Sequence, residues 1–152
     1  MLRRHLDTLE TDLGALEREL VAAMAPYQPA MDLLPTIPGI DTLGAAKLLV
    51  EIGDDMTAFG SAGCLAKWAG ICPGNDQSAG KRRSGKTPKG NRYVRALLCE
   101  IAWSAARTAS QFKSRYQGLV MRRGAKRAIV AIAHKRLLHR LCTAGAPRAL
   151  SR

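Results

Sequence analysis

The sequence has few of the residues on which several protein classes depend. Its four cysteines include no C-x-x-C pair, which argues against a zinc-finger framework and favours reduced thiols. Aromatic residues make up 5% of the 152 positions, too few for a surface that stacks single-stranded bases. No apolar stretch approaches the roughly 20 residues of a membrane span, and no signal segment opens the chain. We therefore expect a cytoplasmic protein without a membrane partner.

Acidic residues are nearly absent from the second part of the chain. Residues 58–152 hold 20 Lys and Arg but only Asp76 and Glu100 as acids, a balance of +18, whereas residues 1–57 balance to −6. A segment with such an excess repels itself unless a polyanion neutralises it, so nucleic acid is a more natural partner than an anionic membrane surface. Two-metal nucleases need several converging carboxylates. We therefore expect no metal site and no self-contained metal nuclease.

Leucine recurs in steps of four and three over residues 1–25, with polar and charged residues between. This is the a/d spacing of a heptad repeat. Three heptads are short for an isolated coiled coil, so the seam needs a second copy of itself or a helix elsewhere. We predict that residues 1–25 form a coiled-coil oligomerisation arm. Its leucine seam consists of Leu2, Leu6, Leu9, Leu13, Leu16 and Leu20.

Periodicity and turn residues predict an all-α fold beyond the arm. A proline-rich linker with one short helical turn is expected over 26–36, a compact nucleic-acid-binding domain over 37–145 and a tail over 146–152. Ser61 and Asn91 are suited to cap two of the domain's helices. Strands, if present, are confined to a short hairpin within the long basic loop over 71–88.

Residues 37–40 read Ile-Pro-Gly-Ile and precede Asp41 and an alanine-rich helix that Gly53 ends. Such a turn before a helix resembles a helix-hairpin-helix element, in which backbone N–H groups at a helix start hold a phosphate oxygen. Gly39 is the candidate for that contact. The same string is also typical of a plain tight turn between two packed helices, and the acidic Asp41 weakens the phosphate-binding interpretation.

The most cationic stretch begins in the long loop. Seven of the fifteen residues over 81–95 are Lys or Arg, and glycines at 80, 85 and 90 let a backbone approach a ligand closely. If about five of these cations each neutralise one phosphate, log affinity falls with log salt with a slope of roughly −4 to −5. We predict nucleic-acid contacts, besides Gly39, at Lys81, Arg82, Arg83, Lys86, Lys89, Asn91, Arg92 and Arg95.

Ser78 lies just before this stretch. A serine is a weak nucleophile unless a base accepts its proton and a positive group holds the developing charge. The neighbouring arginines can clamp a phosphoryl group. However, no histidine is near in sequence, and the acids nearest to Ser78 are Asp76 and Glu100. Composition alone therefore favours a turn residue.

At this point the sequence resembles a known family. It is similar, over about residues 33–142, to the C-terminal transposase domain of the bridge-RNA-guided insertion-sequence transposases, the one-hundred-ten and one-hundred-sixteen group, which Piv-like DNA invertases share. The third of three motifs is the most specific. The matching strings are IPGI at 37–40 with LLVEIG at 48–53, LAKWAG at 65–70 running into Pro73, and SAGKRR at 78–83 with KGNR at 89–92 and RAL at 95–97.

The resemblance implies a small helical domain preceded by a coiled-coil arm, and a role in DNA transposition and recombination. It implies that Ser78 is the nucleophile of strand exchange, attacking a DNA phosphodiester to form a transient phosphoserine link. The basic residues after it would hold DNA, guide RNA or both. Ser84 is a second serine where the family more often has a basic residue or glycine, so Ser78 is the catalytic candidate.

In that family an N-terminal RuvC-like domain completes the site with an acidic metal-binding set. Such a set is missing from these 152 residues, so we expect a truncated or split form that binds nucleic acid and does not cut it alone. No cofactor is expected in this chain, and Mg²⁺ is expected only with a RuvC-like partner domain. The seam would pair either with a second copy or with that domain, in a bacterial, nucleoid-associated setting.

Two hypotheses remain open at the level of sequence. In the first, the chain is a serine-type recombinase domain that becomes active once a partner supplies acids and metal. In the second, it is a non-catalytic DNA- or RNA-binding, oligomerising remnant or regulator of a full-length transposase. A helix-hairpin-helix repair accessory factor is a weaker third interpretation.

Overall fold

The computed structural model describes residues 1–74, 76–78, 81–134 and 141, with the backbone alone at 76–78 and 81–84. This part of the chain is all-α apart from one β-hairpin, which confirms the predicted fold class. The helices are α1 (Leu2–Ala23), α2 (Gln28–Leu33), α3 (Thr42–Ile52), α4 (Ala62–Trp68), α5 (Arg92–Arg107), α6 (Gln111–Arg123) and α7 (Ala125–Ile132). Single 3₁₀ turns occur at Ala25–Tyr27, Leu34–Thr36 and Met56–Phe59. Residues 135–140 and 142–145 of the domain predicted over 37–145, and the tail predicted over 146–152, lie outside the described residues.

Four of the helices begin at a side chain that accepts a backbone N–H of the first turn. These caps satisfy N–H groups that have no partner within the helix, and so they set where each helix starts. The predicted caps at Ser61 and Asn91 are confirmed. The four caps are Asp41 for α3, Ser61 for α4, Asn91 for α5 and Ser110 for α6.

The core lies among α3, α4, α5, α6 and α7. Apolar residues recur every three or four positions along α5, so one face of that helix is buried against the others. The segment over 26–36, predicted as a linker, adds Met31 and Leu34 to the same core. The largest fully buried side chains are Phe112, Leu48, Leu65, Ile71, Leu98, Ile129, Ile132 and Val94.

The first helix has no buried residue. Leu20 and Val21, near its C-terminal end, pack against the core. The five leucines that precede them in the seam are each more than half exposed. A long helix with an uncovered leucine seam is the geometry expected of an oligomerisation arm, which stays a prediction. None of the described helices is both long and apolar enough to cross a membrane.

Candidate nucleic-acid interface

The basic loop contains the predicted hairpin. Strand β1 (Asp76–Ser78) pairs with strand β2 (Lys81–Ser84) in an antiparallel register, with an irregularity after Asp76. In this register Ser78 lies opposite Lys81, and Gln77 lies opposite Arg82. The backbone therefore brings the candidate nucleophile next to the first of the candidate phosphate-binding cations.

The two ends of the hairpin segment leave the helical body at one point, where Gly70 and Gly90 meet. A Cβ added to Gly90 would lie 2.5 Å from the carbonyl oxygen of Trp68 and 2.6 Å from the Cα of Gly70. Closer to the hairpin, a Cβ added to Gly74 would overlap the carbonyl oxygen of Lys86. Side chains do not fit between these backbones. We call Gly70, Gly74 and Gly90 the glycine clamp.

The glycine clamp revises the sequence-based interpretation of Gly90. That residue was expected to let the backbone approach a ligand, whereas its nearest neighbour is the backbone of Gly70. The adjacent Asn91 N–H donates to the carbonyl oxygen of Trp68 at 3.0 Å, which ties the end of the basic loop to the end of α4. No feature of a single sequence signals a contact between residues twenty positions apart.

Asn91 links the basic loop to two helices. Its Oδ1 accepts from the N–H groups of Tyr93 at 2.9 Å and Val94 at 3.1 Å, which caps α5. Its Nδ2 donates to Glu51 Oε2 on α3 at 2.9 Å. Asn91 was predicted as a nucleic-acid contact, and the structure gives it these hydrogen bonds within the chain. They assign it a positioning role at the point where the loop becomes a helix.

Replacing Asn91 by alanine removes the cap and the link to Glu51. We expect a loss of about 1–2 kcal/mol in the free energy of unfolding. The midpoint of thermal unfolding should fall by roughly 2–8 °C. We also expect faster cleavage by trypsin at the Lys and Arg residues over 81–89, because one end of the loop is no longer held.

Ser61→Ala is the matched control, since it removes a cap from α4, whose start is not joined to the loop. It should lower the unfolding midpoint without changing cleavage in the basic loop. Equal acceleration of loop cleavage in both variants would show that Asn91 has no special hold on the loop.

The remaining candidate cations follow one stretch of chain from the hairpin into α5. Lys86 and Lys89 are exposed ahead of the helix, and Arg95 is partly buried in its first turns. Arg92 is exposed, and its guanidinium lies 5.2 Å from the centre of the Tyr93 ring, a cation–π distance. The sequence has no acid between Asp76 and Glu100, so this stretch has a strong excess of positive charge.

Gly39 lies against α5. Its φ is +92°, and an added Cβ would lie 2.5 Å from the carbonyl oxygen of Ile101 and 2.7 Å from the backbone nitrogen of Ala105. At the start of α3, Asp41 Oδ1 accepts the N–H of Gly44 at 2.7 Å. These contacts match the tight turn between packed helices, which was the alternative left open by the sequence. The helix-hairpin-helix interpretation is not confirmed.

Among the side chains that the structure describes, one carboxyl and one thiol group have displaced pKa values. Two hydrogen bonds from Thr57 lower the pKa of Asp55. Burial raises the pKa of the Cys99 thiol on α5, against the opposing effect of the Arg95 charge one turn earlier. Because the thiolate is the nucleophilic form, this shift disfavours Cys99 as a nucleophile beside the cations. Among the described residues, no three His, Cys, Asp or Glu side chains group together to hold a metal.

The sequence matches one family of known proteins. The profile described as "Transposase IS116/IS110/IS902 family" matches residues 31–117, which include the hairpin and the helices on either side of it. No solved structure gives a significant match.

Curated relatives agree with this profile. A putative transposase of Sinorhizobium fredii, y4pF/y4sB, is 33% identical over 120 residues, covering 74% of this chain and 31% of the relative. An uncharacterized 43.6 kDa protein of insertion element IS110 from Streptomyces coelicolor is 34% identical over 114 residues, covering 70% and 28%. An uncharacterized 42 kDa protein of IS900 from Mycobacterium paratuberculosis is 30% identical over 142 residues, covering 90% and 34%. The chain thus spans about a third of the length of these relatives.

Proposed function

The chain belongs to the IS116/IS110/IS902 transposase family, and from that premise we propose that it is the DNA-binding, strand-exchange part of an insertion-sequence transposase. The observation that carries the proposal is the basic segment that runs from the hairpin into the start of α5. It has no acid over 77–99, and the glycine clamp and Asn91 join its loop to the helical body. A basic loop whose backbone is held at its ends loses less conformational freedom on binding phosphates than a free loop does. Duplex DNA is the first proposed partner, and a guide RNA is the second.

Strand exchange in this proposal uses Ser78. Its Oγ attacks a backbone phosphorus, a P–O bond to the serine forms, and the P–O bond to the departing deoxyribose breaks. The serine proton passes to a base, and the departing oxygen takes up a proton from that base or from water and leaves as a hydroxyl. Attack by a hydroxyl of the other strand then reverses these bonds and frees the serine. The cations of β2 would stabilise the charge that develops on the phosphoryl oxygens.

The base and the metal-binding acids are assigned to a RuvC-like domain. Residues 58–152 contain only Asp76 and Glu100 as acids, and α1 carries half of the other ten. Mg²⁺ bound to such a domain would polarise the phosphate as a Lewis acid. We propose that the exposed seam of α1 pairs with a second copy or with that domain, in the bacterial cytoplasm at the nucleoid.

A second candidate function is a non-catalytic regulator that binds nucleic acid and pairs with a full-length transposase. The shortage of acids and the five exposed leucines of α1 favour it. The two candidates share the nucleic-acid surface and differ in whether Ser78 reacts.

Neutralising the hairpin tests the shared binding surface. In the variant K81Q/R82Q/R83Q/K86Q, the slope of log affinity against log salt for a duplex of about 30 base pairs should become shallower by about 2 to 4, because each lost phosphate contact removes about 0.9. Affinity at about 100 mM salt should fall at least tenfold. Titrations at several salt concentrations measure both.

The control variant, R3Q/R4Q/R18Q/K47Q, also removes four positive charges from the net charge of +12. These four residues are exposed and lie in the acidic part of the chain. This variant should bind nearly as the unaltered protein does. Equal losses in the two variants would show a nonspecific charge effect and contradict the proposed surface, as would failure of the unaltered chain to bind any duplex at low salt.

A further inference from the structure

A second group of exposed cations lies where α6 meets α7. Helix α6 ends at Arg123, and Gly124, with φ of +73°, turns the chain directly into α7. Arg122, Arg123, Lys126 and Arg127 flank this glycine, and all four are exposed. We call these four residues the α6–α7 corner. They lie beyond residue 117, where the family profile ends, and none was among the predicted nucleic-acid contacts.

The position of two of these cations opposes helix stability. Lys126 and Arg127 are in the first turn of α7, where the aligned peptide dipoles place partial positive charge. That turn has no acidic residue and no side-chain cap, whereas α3, α4, α5 and α6 each begin at a capping side chain. The helix start therefore adds positive potential to Lys126 and Arg127, whereas Arg122 and Arg123 lie in the last turn of α6, at the negative end of that helix dipole. A bound anion would favour this arrangement, because it is attracted by the start of α7 and by the cations.

The sequence around the α6–α7 corner contains no acidic side chain that could serve as this anion. No Asp or Glu occurs in residues 101–152. Over 108–134, which the structure describes, Lys113 and Arg115 on α6 extend the same positive charge along the exposed side of the helix. The charge of this region is thus uncompensated by its own acids and available to an external polyanion.

We propose that the α6–α7 corner is a second DNA-binding surface, which holds the phosphate backbone of a duplex. The choice of DNA rests on the proposed function, and the surface lies in a part of the chain that the hairpin does not include. Single-stranded ligands are held by stacking on exposed aromatic rings. The aromatic side chain nearest in sequence, Tyr116, is half-buried and packs on Trp103 at 5.5 Å between ring centres. The corner offers charge without a stacking surface, which fits a duplex.

The variant R122Q/R123Q/K126Q/R127Q tests this surface, with R3Q/R4Q/R18Q/K47Q as the control of equal charge. We expect the salt slope for duplex binding to become shallower by about 2 to 4 in the corner variant and to change little in the control. Affinity at about 100 mM salt should fall by about tenfold or more. Circular dichroism confirms that each variant is folded.

A second measurement separates binding from structure. Since Lys126 and Arg127 oppose the dipole of α7, the variant K126Q/R127Q should raise the midpoint of thermal unfolding while lowering DNA affinity. If these residues merely supported the fold, their substitution would lower both the midpoint of thermal unfolding and the DNA affinity. A lowered midpoint together with unchanged affinity would overturn the proposal.

Comparison with the hairpin variant keeps the two proposals apart. A corner variant that binds like the control, beside an impaired hairpin variant, would refute the corner and leave the hairpin surface standing. The reverse result would support the corner and refute the hairpin. A corner variant that loses affinity for a single-stranded RNA of equal length but keeps its duplex affinity would overturn the assignment to duplex DNA.

Discussion

Replacing Ser78 by alanine is expected to abolish strand exchange while leaving duplex affinity within about twofold. The hydroxyl is the group that would form the bond to phosphorus, and without it no phosphoserine link can arise. The backbone at Ser78 is paired with Lys81 in the hairpin, and alanine can occupy the same strand position. The effect therefore falls on chemistry rather than on binding. Transposition is measured with a RuvC-like domain of a full-length relative supplied alongside the chain.

A covalent readout makes the same test independent of the complete reaction. A duplex with a nick near the exchange site traps the phosphoserine link, because the released fragment diffuses away, and a denaturing gel then shows protein attached to DNA. Ser84→Ala is the matched control on the facing strand, opposite Asp76, and should retain both the adduct and transposition. An adduct in the Ser78→Ala protein would exclude Ser78 as the nucleophile. Unchanged transposition in that protein would favour the non-catalytic regulator.

Gly39→Ala is expected to have the largest effect on stability. Its φ of +92° strains any residue with a Cβ, at about 1–2 kcal/mol. The added methyl would also meet the backbone of α5 at 2.5 Å from the Ile101 oxygen. Overpacking of this kind costs about 1–3 kcal/mol. A total near 3 kcal/mol corresponds to a fall of roughly 6–12 °C in the unfolding midpoint.

The control for this change is Gly53→Ala. Gly53 also has a positive φ, +78°, but an added Cβ would meet nothing within 4 Å. Alanine there should lower the midpoint by less, roughly 2–8 °C, since the strain of about 1–2 kcal/mol is present without the collision. If Gly39→Ala matched this small loss and selectively weakened DNA binding, the phosphate-holding interpretation of the turn would be right and the packing interpretation wrong.

Local features of this fold were predictable because their causes are local. Ser61 and Asn91 were predicted as caps, since a capping side chain bonds to an N–H two or three residues ahead. The composition of the loop over 71–88, rich in glycine and serine, correctly predicted that any strands would form a short hairpin there. The helical period is less reliable at Trp68: counted from Ser61, it predicts Trp68 on the inner side of α4 with Leu65, but the side chain of Trp68 is 38% exposed. There it packs on Phe59, with 5.4 Å between ring centres.

The features that position the candidate site were not predictable from the sequence. Asn91 and Glu51 are 40 residues apart, and their hydrogen bond depends on how α3 lies beside the start of α5. Gly70 and Gly90 are likewise brought together by the fold, so each looks in sequence like an ordinary loop glycine. The charges of the α6–α7 corner are visible in the sequence, but their setting at an uncapped helix start is not.

The glycine clamp has a consequence for how transposases of this type can diversify. Both arms of the hairpin emerge through one narrow neck, where Gly74 meets the carbonyl of Lys86 and Gly70 meets Gly90. Anything beyond that neck can be lengthened, shortened or exchanged without disturbing the helices beneath it. The part that we propose touches DNA is therefore a graftable module, and a hairpin transplanted between relatives should carry its own DNA affinity and salt dependence with it.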